Sequence, residues 1–178
     1  MKKISLSILS TLFLVSFAFA QDDLCASLKK ILDAGNTQFI DLRGESTTKT
    51  ISGVQRPFHV SNAKIGSDKS FVNDSQEYPA YEEIIAISNV KGDVPEEKLV
   101  KEFELYKEKI KACFAGNAEW KLMEKDKTND LYLEDTNFRK LVGFEIKKGP
   151  KVKFELYMYN NRVEGHWCIE LNVEGISK

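Results

Sequence analysis

Histidine is scarce in this chain: His59 and His166 are the only two among 178 residues. A tetrahedral zinc centre draws on paired Cys and His, but these histidines lie on different segments and the cysteines are unpaired, so no metal signature is present. The same shortage, with no Gly-x-Ser-x-Gly elbow, argues against a Ser-His-Asp hydrolase. A glycine loop for cradling phosphate is also missing: Arg43-Gly44-Glu45 lacks the pattern, and Lys91-Gly92-Asp93 reads as a helix entry. The stretch Asp126-Lys127-Thr128-Asn129-Asp130-Leu131 departs from a calcium loop at Thr128 and at Leu131, where glycine belongs. No cofactor follows from any of these segments.

Charge of one sign is not in excess either, with 26 Lys and Arg against 27 Asp and Glu, which gives no footprint for a nucleic-acid partner. The run Lys147-Lys148-Gly149-Pro150-Lys151-Val152-Lys153 is broken by turn and core residues and lacks interleaved aromatics, so it reads as a solvated hairpin. Long apolar runs are absent beyond the first twenty residues, and a spanning helix needs roughly 18 such residues, so no transmembrane segment is expected.

What is there begins at the N-terminus. Lys2 and Lys3 lead into an apolar run from Ile4 to Phe17, followed by Ala18-Phe19-Ala20, the layout of a secretory signal cleaved before Gln21. Asp22-Asp23-Leu24 ahead of Cys25 does not form a lipoprotein cleavage box. Export to a periplasm or an extracellular medium is therefore expected. Lys2 and Lys3 leave with the signal, so 24 cationic residues face 27 acidic ones in a 158-residue product with a formal charge of about −3. That length suits one domain, residues 21–178, able to bury roughly 68–70% of its unfolded surface.

Cys25, Cys113 and Cys168 enter an oxidising compartment, so one disulfide and one spare thiol are expected from three pairings. From Asp22 or Asp23 to Ala34, apolar residues Leu24, Cys25, Leu28, Ile31 and Leu32 fall at helical spacing, and Gly35-Asn36 offers a left-handed stop. A second helix is predicted from Asp93, which forms a capping box with Glu96, to Gly116, with Leu99, Phe103, Tyr106, Ile110 and Cys113 on one face. Each helix exit carries Ala-Gly-Asn, at Ala34 and again at Ala115, and leads into a predicted strand, Gln38–Leu42 or Glu119–Glu124. This is either a degenerate internal duplication, with halves 22–89 and 95–173, or one good helix stop used twice.

The C-terminal part is the clearest. Val152, Phe154, Leu156 and Met158 alternate with polar residues, as do Val163, Gly165, Trp167, Ile169, Leu171 and Val173 after Asn160-Asn161. This reads as a hairpin with one wet face. A two-residue Asn-Asn turn would set Tyr159 opposite Arg162, Phe154 opposite Trp167 and Val152 opposite Ile169. Arg139–Lys147 precedes it as a further strand, while Gly44–Ser61 and Ser67–Tyr81 read as long loops or irregular edges. The expected fold is a two-layer α+β domain, an antiparallel β-sheet with two amphipathic helices on one face. Pseudo-two-fold halves would bring Cys25 to Cys113, the pairing preferred over Cys113–Cys168.

One constellation invites chemistry. Alternation puts His166, Cys168, Glu164 and Glu170 on the polar side of the last strand, with Glu155 opposite His166 and Lys153 opposite Cys168. A thiol beside an imidazolium would have a lowered pKa, making Cys168 with His166 a candidate nucleophile and base. A flat solvated sheet face offers no oxyanion donors, so the pair reads more simply as sheet surface. Glu82-Glu83 and Glu134-Asp135 read as acidic pairs on solvated surface. The remaining signal is Tyr78 and Tyr81 near a long acidic loop, with Tyr157, Tyr159 and Arg162 on the hairpin, residue types enriched at protein interfaces. The expected function is an exported binding module for another protein or a cell-envelope component; a small enzyme using Cys168 is the alternative.

Overall fold

A computed structural model describes residues 23–51, 53–66, 69–75, 77–92, 94–116, 122–126, 138–146, 152–161 and 165–176. Helix α1 spans 23–34. It is followed by β1 (Arg43–Ile51), β2 (Val54–Ser61), β3 (Ser70–Asn73), β4 (Ala80–Lys91), α2 (Glu97–Phe114), β5 (Leu122–Asp126), β6 (Phe138–Ile146), β7 (Lys153–Asn161) and β8 (His166–Glu174). The eight strands form one sheet in the order β1-β2-β3-β4-β8-β7-β6-β5. Every pairing is antiparallel, so the fold is α+β. Two meanders meet at the central β4–β8 pair.

Pairing places Val72, Tyr81, Val173, Phe154 and Phe144 in one row across β3, β4, β8, β7 and β6. Directly paired residues share a face, and this row belongs to the core. Leu28, Ile31 and Leu32 from α1 and Leu99, Phe103, Ile110 and Phe114 from α2 join the same cluster. Phe114 lies 6.4 Å from Phe154, which stacks on Phe144 at 4.7 Å between ring centroids. Each such buried side chain contributes roughly 1.5–3 kcal/mol over leaving it in water. A Cys25–Cys113 disulfide ties α1 to the last turn of α2 across 88 positions of sequence, with the Cα atoms 5.2 Å apart. No helix among the described residues is long and apolar enough to cross a membrane.

Several expectations need correction. Gln38–Leu42 is not a strand: Gln38 and Phe39 both take φ 57° and Ile40–Leu42 forms a 3₁₀ turn. The Phe39 amide returns to Ala34 O at 2.8 Å, and Phe39 and Leu42, three apart, enter the core while Ile40 stays out. The left-handed positions thus fall after Gly35, whose own role is close approach: a Cβ there would lie 2.3 Å from Val152 Cγ1. Gly44–Ser61 is not a loop but the β1–β2 hairpin, and Ser67–Tyr81 contains β3. At the sheet edge both faces of β1 meet solvent, so its sequence lacks apolar alternation; Thr47, Thr48, Thr50 and Gly53, at φ 79°, were the available signal.

Helix α2 begins at Glu97, not Asp93; Asp93 lies outside the described residues. Glu96 makes no cap, because its carboxylate accepts the Ser88 hydroxyl instead. The chain ahead of it is drawn onto the sheet, where Trp167 Nε1 and Asn160 Nδ2 each donate to Gly92 O at 3.0 Å. The β7–β8 register also differs. Asn161 pairs with His166 and Phe154 with Val173, because the connection is 162–165, closed by the Gly165 amide on Asn161 O at 2.6 Å. Opposite Phe154 the shift is six residues, an even number, so every side chain keeps its expected face.

Glu82 and Glu83 are not a surface pair. They point to opposite sides of β4, and Glu83 is fully buried on the helix side. Its carboxylate accepts the Ile65 amide at 2.9 Å, the Gly66 amide at 2.8 Å and the Tyr81 hydroxyl at 2.5 Å, clamping the β2–β3 connection onto β4.

Candidate functional site

The sheet face away from the core carries polar and aromatic residues in rows set by the pairing. Phe71, Glu82, Asn172 and Glu155 form one row; Ile84, Glu170 and Tyr157 the next; Ile87, Cys168 and Tyr159 a third. Ala80, Glu174 and Lys153 form the row at the other end. From β1, Lys49 reaches over β2 and β3 to Glu82 at 2.6 Å, its ammonium 4.7 Å from the ring centroids of both Phe58 and Phe71. Its charge is held between a carboxylate and two π-faces.

On β7 and β8 each tyrosine hydroxyl has a carboxylate acceptor. Tyr159 donates to Glu170 at 2.7 Å and Tyr157 donates to Glu155. Burial pushes both phenols far above their usual range, with Glu155 adding to the effect at Tyr157 and Glu170 at Tyr159. They remain neutral donors at physiological pH. Lys153 bridges Glu155 at 3.1 Å and Glu174 at 3.0 Å. Its burial would lower the ammonium's pKa, but these two carboxylates outweigh that and raise it.

Burial is the main cause that pushes Glu170 up to about 7; Glu82 adds to the rise, while the Tyr159 hydrogen bond and Lys49 oppose it. A carboxyl raised above its ordinary value of 4.5 favours the folded state when protonated. Its contribution is complete below about pH 4.5 and is lost as pH rises through about 7. Relative to Glu170→Gln, the protein is expected to lose up to about 3 kcal/mol of stability between those limits. Urea unfolding of both proteins from pH 4 to 8 checks this, and a constant difference across that window would contradict it.

The proposed catalytic pair is placed differently from expectation. Cys168 was expected on a wet face; it is on the expected side of the sheet but is 0% exposed, flanked directly by Ile87 and Tyr159. Its thiol lies 3.9 Å from the main-chain O of His166, and the imidazole Nδ1 donates to Ser88 O at 3.0 Å. The register shift also sets Glu155 opposite Asn172 and Lys153 opposite Glu174, so neither faces His166 or Cys168. Tyr81 is likewise corrected: it is 0% exposed on the core face, held by Glu83 and 3.1 Å from Ala63 O. Tyr157 and Tyr159 are half-buried on the polar face, and Tyr78 is 72% exposed. Arg162, Glu164, Glu134, Asp135 and the 127–131 and 147–151 stretches lie outside the described residues.

Sequence reasoning missed Lys49 as the partner of Glu82, since it sits on an edge strand read as loop; it placed Glu170 on this face but not as the acceptor of the Tyr159 hydroxyl. Among the described residues no three His, Cys, Asp or Glu side chains are grouped to hold a metal ion. Compared with models of known protein families, with curated proteins and with solved structures, the chain matches none.

Proposed function

We propose that this chain is an exported α+β binding module that holds another protein or a cell-envelope component against the polar face of its sheet, without a catalytic step. The observation that carries the reading is the pair Tyr157 and Tyr159, whose rings are fixed by hydroxyl bonds to Glu155 and Glu170 on the face the helices leave open. Tyrosines held in this way offer large amphipathic contact area at little further entropic cost. The export signal and the Cys25–Cys113 bridge support an oxidising destination. The strand order, with each helix followed by a four-strand meander, supports an internal duplication of a helix-plus-strands unit, with halves 22–89 and 95–173.

The test is affinity capture from the compartment of export with wild type, Tyr157→Ala/Tyr159→Ala and a control, Lys101→Ala, on the exposed side of α2. Retained circular dichroism and a cooperative melt establish that the variants fold. Loss of about 2 kcal/mol or more of affinity in the double variant alone is the expected result. Retention of every wild-type partner would end the assignment of this face. The enzyme reading requires the buried Cys168 thiol to be uncovered; fast alkylation of the folded protein below neutral pH would revive it.

A further inference from the structure

Beside the Lys153 end of this face lies a hollow of about 350 Å³, lined by Asn73, Glu77, Tyr78, Pro79, Ala80, Asn172, Glu174 and Gly175. Small-molecule pockets run from about 300 to 1,000 Å³, so this one has room for a single long side chain and little more. Its rim is rigid. Asn73 Nδ2 donates to Tyr78 O at 2.8 Å, Asn73 Oδ1 accepts the Ala80 amide at 2.9 Å, and Ser75 Oγ accepts the Tyr78 amide at 2.9 Å. From the other side, the Gly175 amide donates to Pro79 O at 2.8 Å.

These bonds are made by the main chain and by Asn73 and Ser75, while the Tyr78 ring, 72% exposed, has no part in them. A large aromatic presented to solvent from a hydrogen-bonded main chain fits recognition, because the cost of fixing the Tyr78 backbone has been met in the free protein. The lining contains two carboxylates, Glu77 and Glu174, and no Lys or Arg. Glu174 shares its charge with Lys153, but Glu77 pairs with no cation among the described residues. An aromatic ring and an uncompensated carboxylate lining one hollow attract a cation, the ring through its quadrupole and the carboxylate through its charge.

We propose that this hollow receives a lysine or arginine side chain of the partner protein. The inference rests on the binding-module reading and supplies the partner's chemistry: a basic residue seated beneath Tyr78, next to the Tyr157 and Tyr159 face. Glu77 and Glu174 neutralise the charge, Asn172 accepts a hydrogen bond, and the Tyr78 ring covers the alkyl stem.

The test needs no identified partner. Nα-acetylarginine amide and Nα-acetyllysine amide are titrated into the ¹⁵N-labelled, disulfide-intact protein, with Nα-acetylnorleucine amide as the uncharged control. Saturable shifts at the amides of Tyr78, Ala80 and Gly175 with the cationic probes alone are expected. Tyr78→Ala and Glu77→Gln each weaken binding roughly two- to fivefold, while Tyr78→Phe, which keeps the ring, leaves it unchanged. Equal shifts with norleucine amide, shifts that never saturate, or affinity unchanged in Tyr78→Ala and Glu77→Gln would each overturn the proposal. If Tyr157→Ala/Tyr159→Ala loses its partners while the cationic probes find no site, the hollow assignment fails and the binding face stands. If the probes bind but the double variant keeps every partner, the reverse holds.

Discussion

Replacing Cys25 and Cys113 together by serine is expected to lower the unfolding free energy by about 4 to 5 kcal/mol, because the bridge closes a loop across 88 sequence positions. The effect acts mainly on the unfolded chain, whose freedom the bridge restricts, so the folded far-UV spectrum should be unchanged wherever the variant still folds. The denaturant slope should rise as well, since an uncrosslinked chain exposes more surface on unfolding. Domains of this kind are stable by only about 5–15 kcal/mol, so the loss is a large share of the total. Urea unfolding of the double variant, and of wild type with and without reductant, checks the expectation. Reduced wild type should fall on the variant curve, and Cys168→Ser, which leaves the bridge intact, should not. A reduced protein as stable as the oxidised one would show that the bridge contributes nothing.

Glu83→Ala is expected to cost about 3–5 kcal/mol. The substitution strips the acceptor from the Ile65 and Gly66 amides and leaves the Tyr81 hydroxyl, which lies in the core, only its longer bond to Ala63 O. A buried donor left unpaired costs about 1–3 kcal/mol, and bonds to a charged acceptor lie at the upper end of the range. Glu83→Gln should fall between wild type and Ala, since it keeps one oxygen but turns an NH₂ toward groups that themselves donate. Glu82→Gln, on the polar face with a partly exposed ion pair to Lys49, should cost less than about 1 kcal/mol. The contrast between adjacent glutamates is the measurement. Equal effects at Glu82 and Glu83 would refute the clamp, whatever their size.

Little of that contrast was legible in the sequence. Two consecutive glutamates look alike, and strand alternation says only that they face opposite ways. Burial of Glu83 depends on Ile65 and Gly66 arriving from the β2–β3 connection, which carries no periodic pattern. Lys49 was hidden for a similar reason: β1 is an edge strand wet on both faces, so its residues show no apolar alternation. Tyr81 was misplaced because the acidic stretch around it suggested a loop, whereas Ala80–Lys91 is a central strand. Tyr78, three residues earlier, is exposed because the loop ends just after it.

The sequence by itself determined which side of the chain the alternating residues of β7 and β8 would take, the buried stripe of α2 and the existence of two helices. These follow from backbone periods of 2.0 and 3.6 residues, which are local and survive an even slip in register. It also led to the Cys25–Cys113 pairing, once two antiparallel halves were assumed. Tertiary structure alone decided the β7–β8 register, because closure at Gly165 rather than the Asn160-Asn161 dipeptide set the turn. It decided as well that Cys168 is enclosed, that Glu83 is a clamp and that Lys49 meets Glu82. Each of those depends on which distant segment arrives as neighbour, and the local period of a chain holds no record of it.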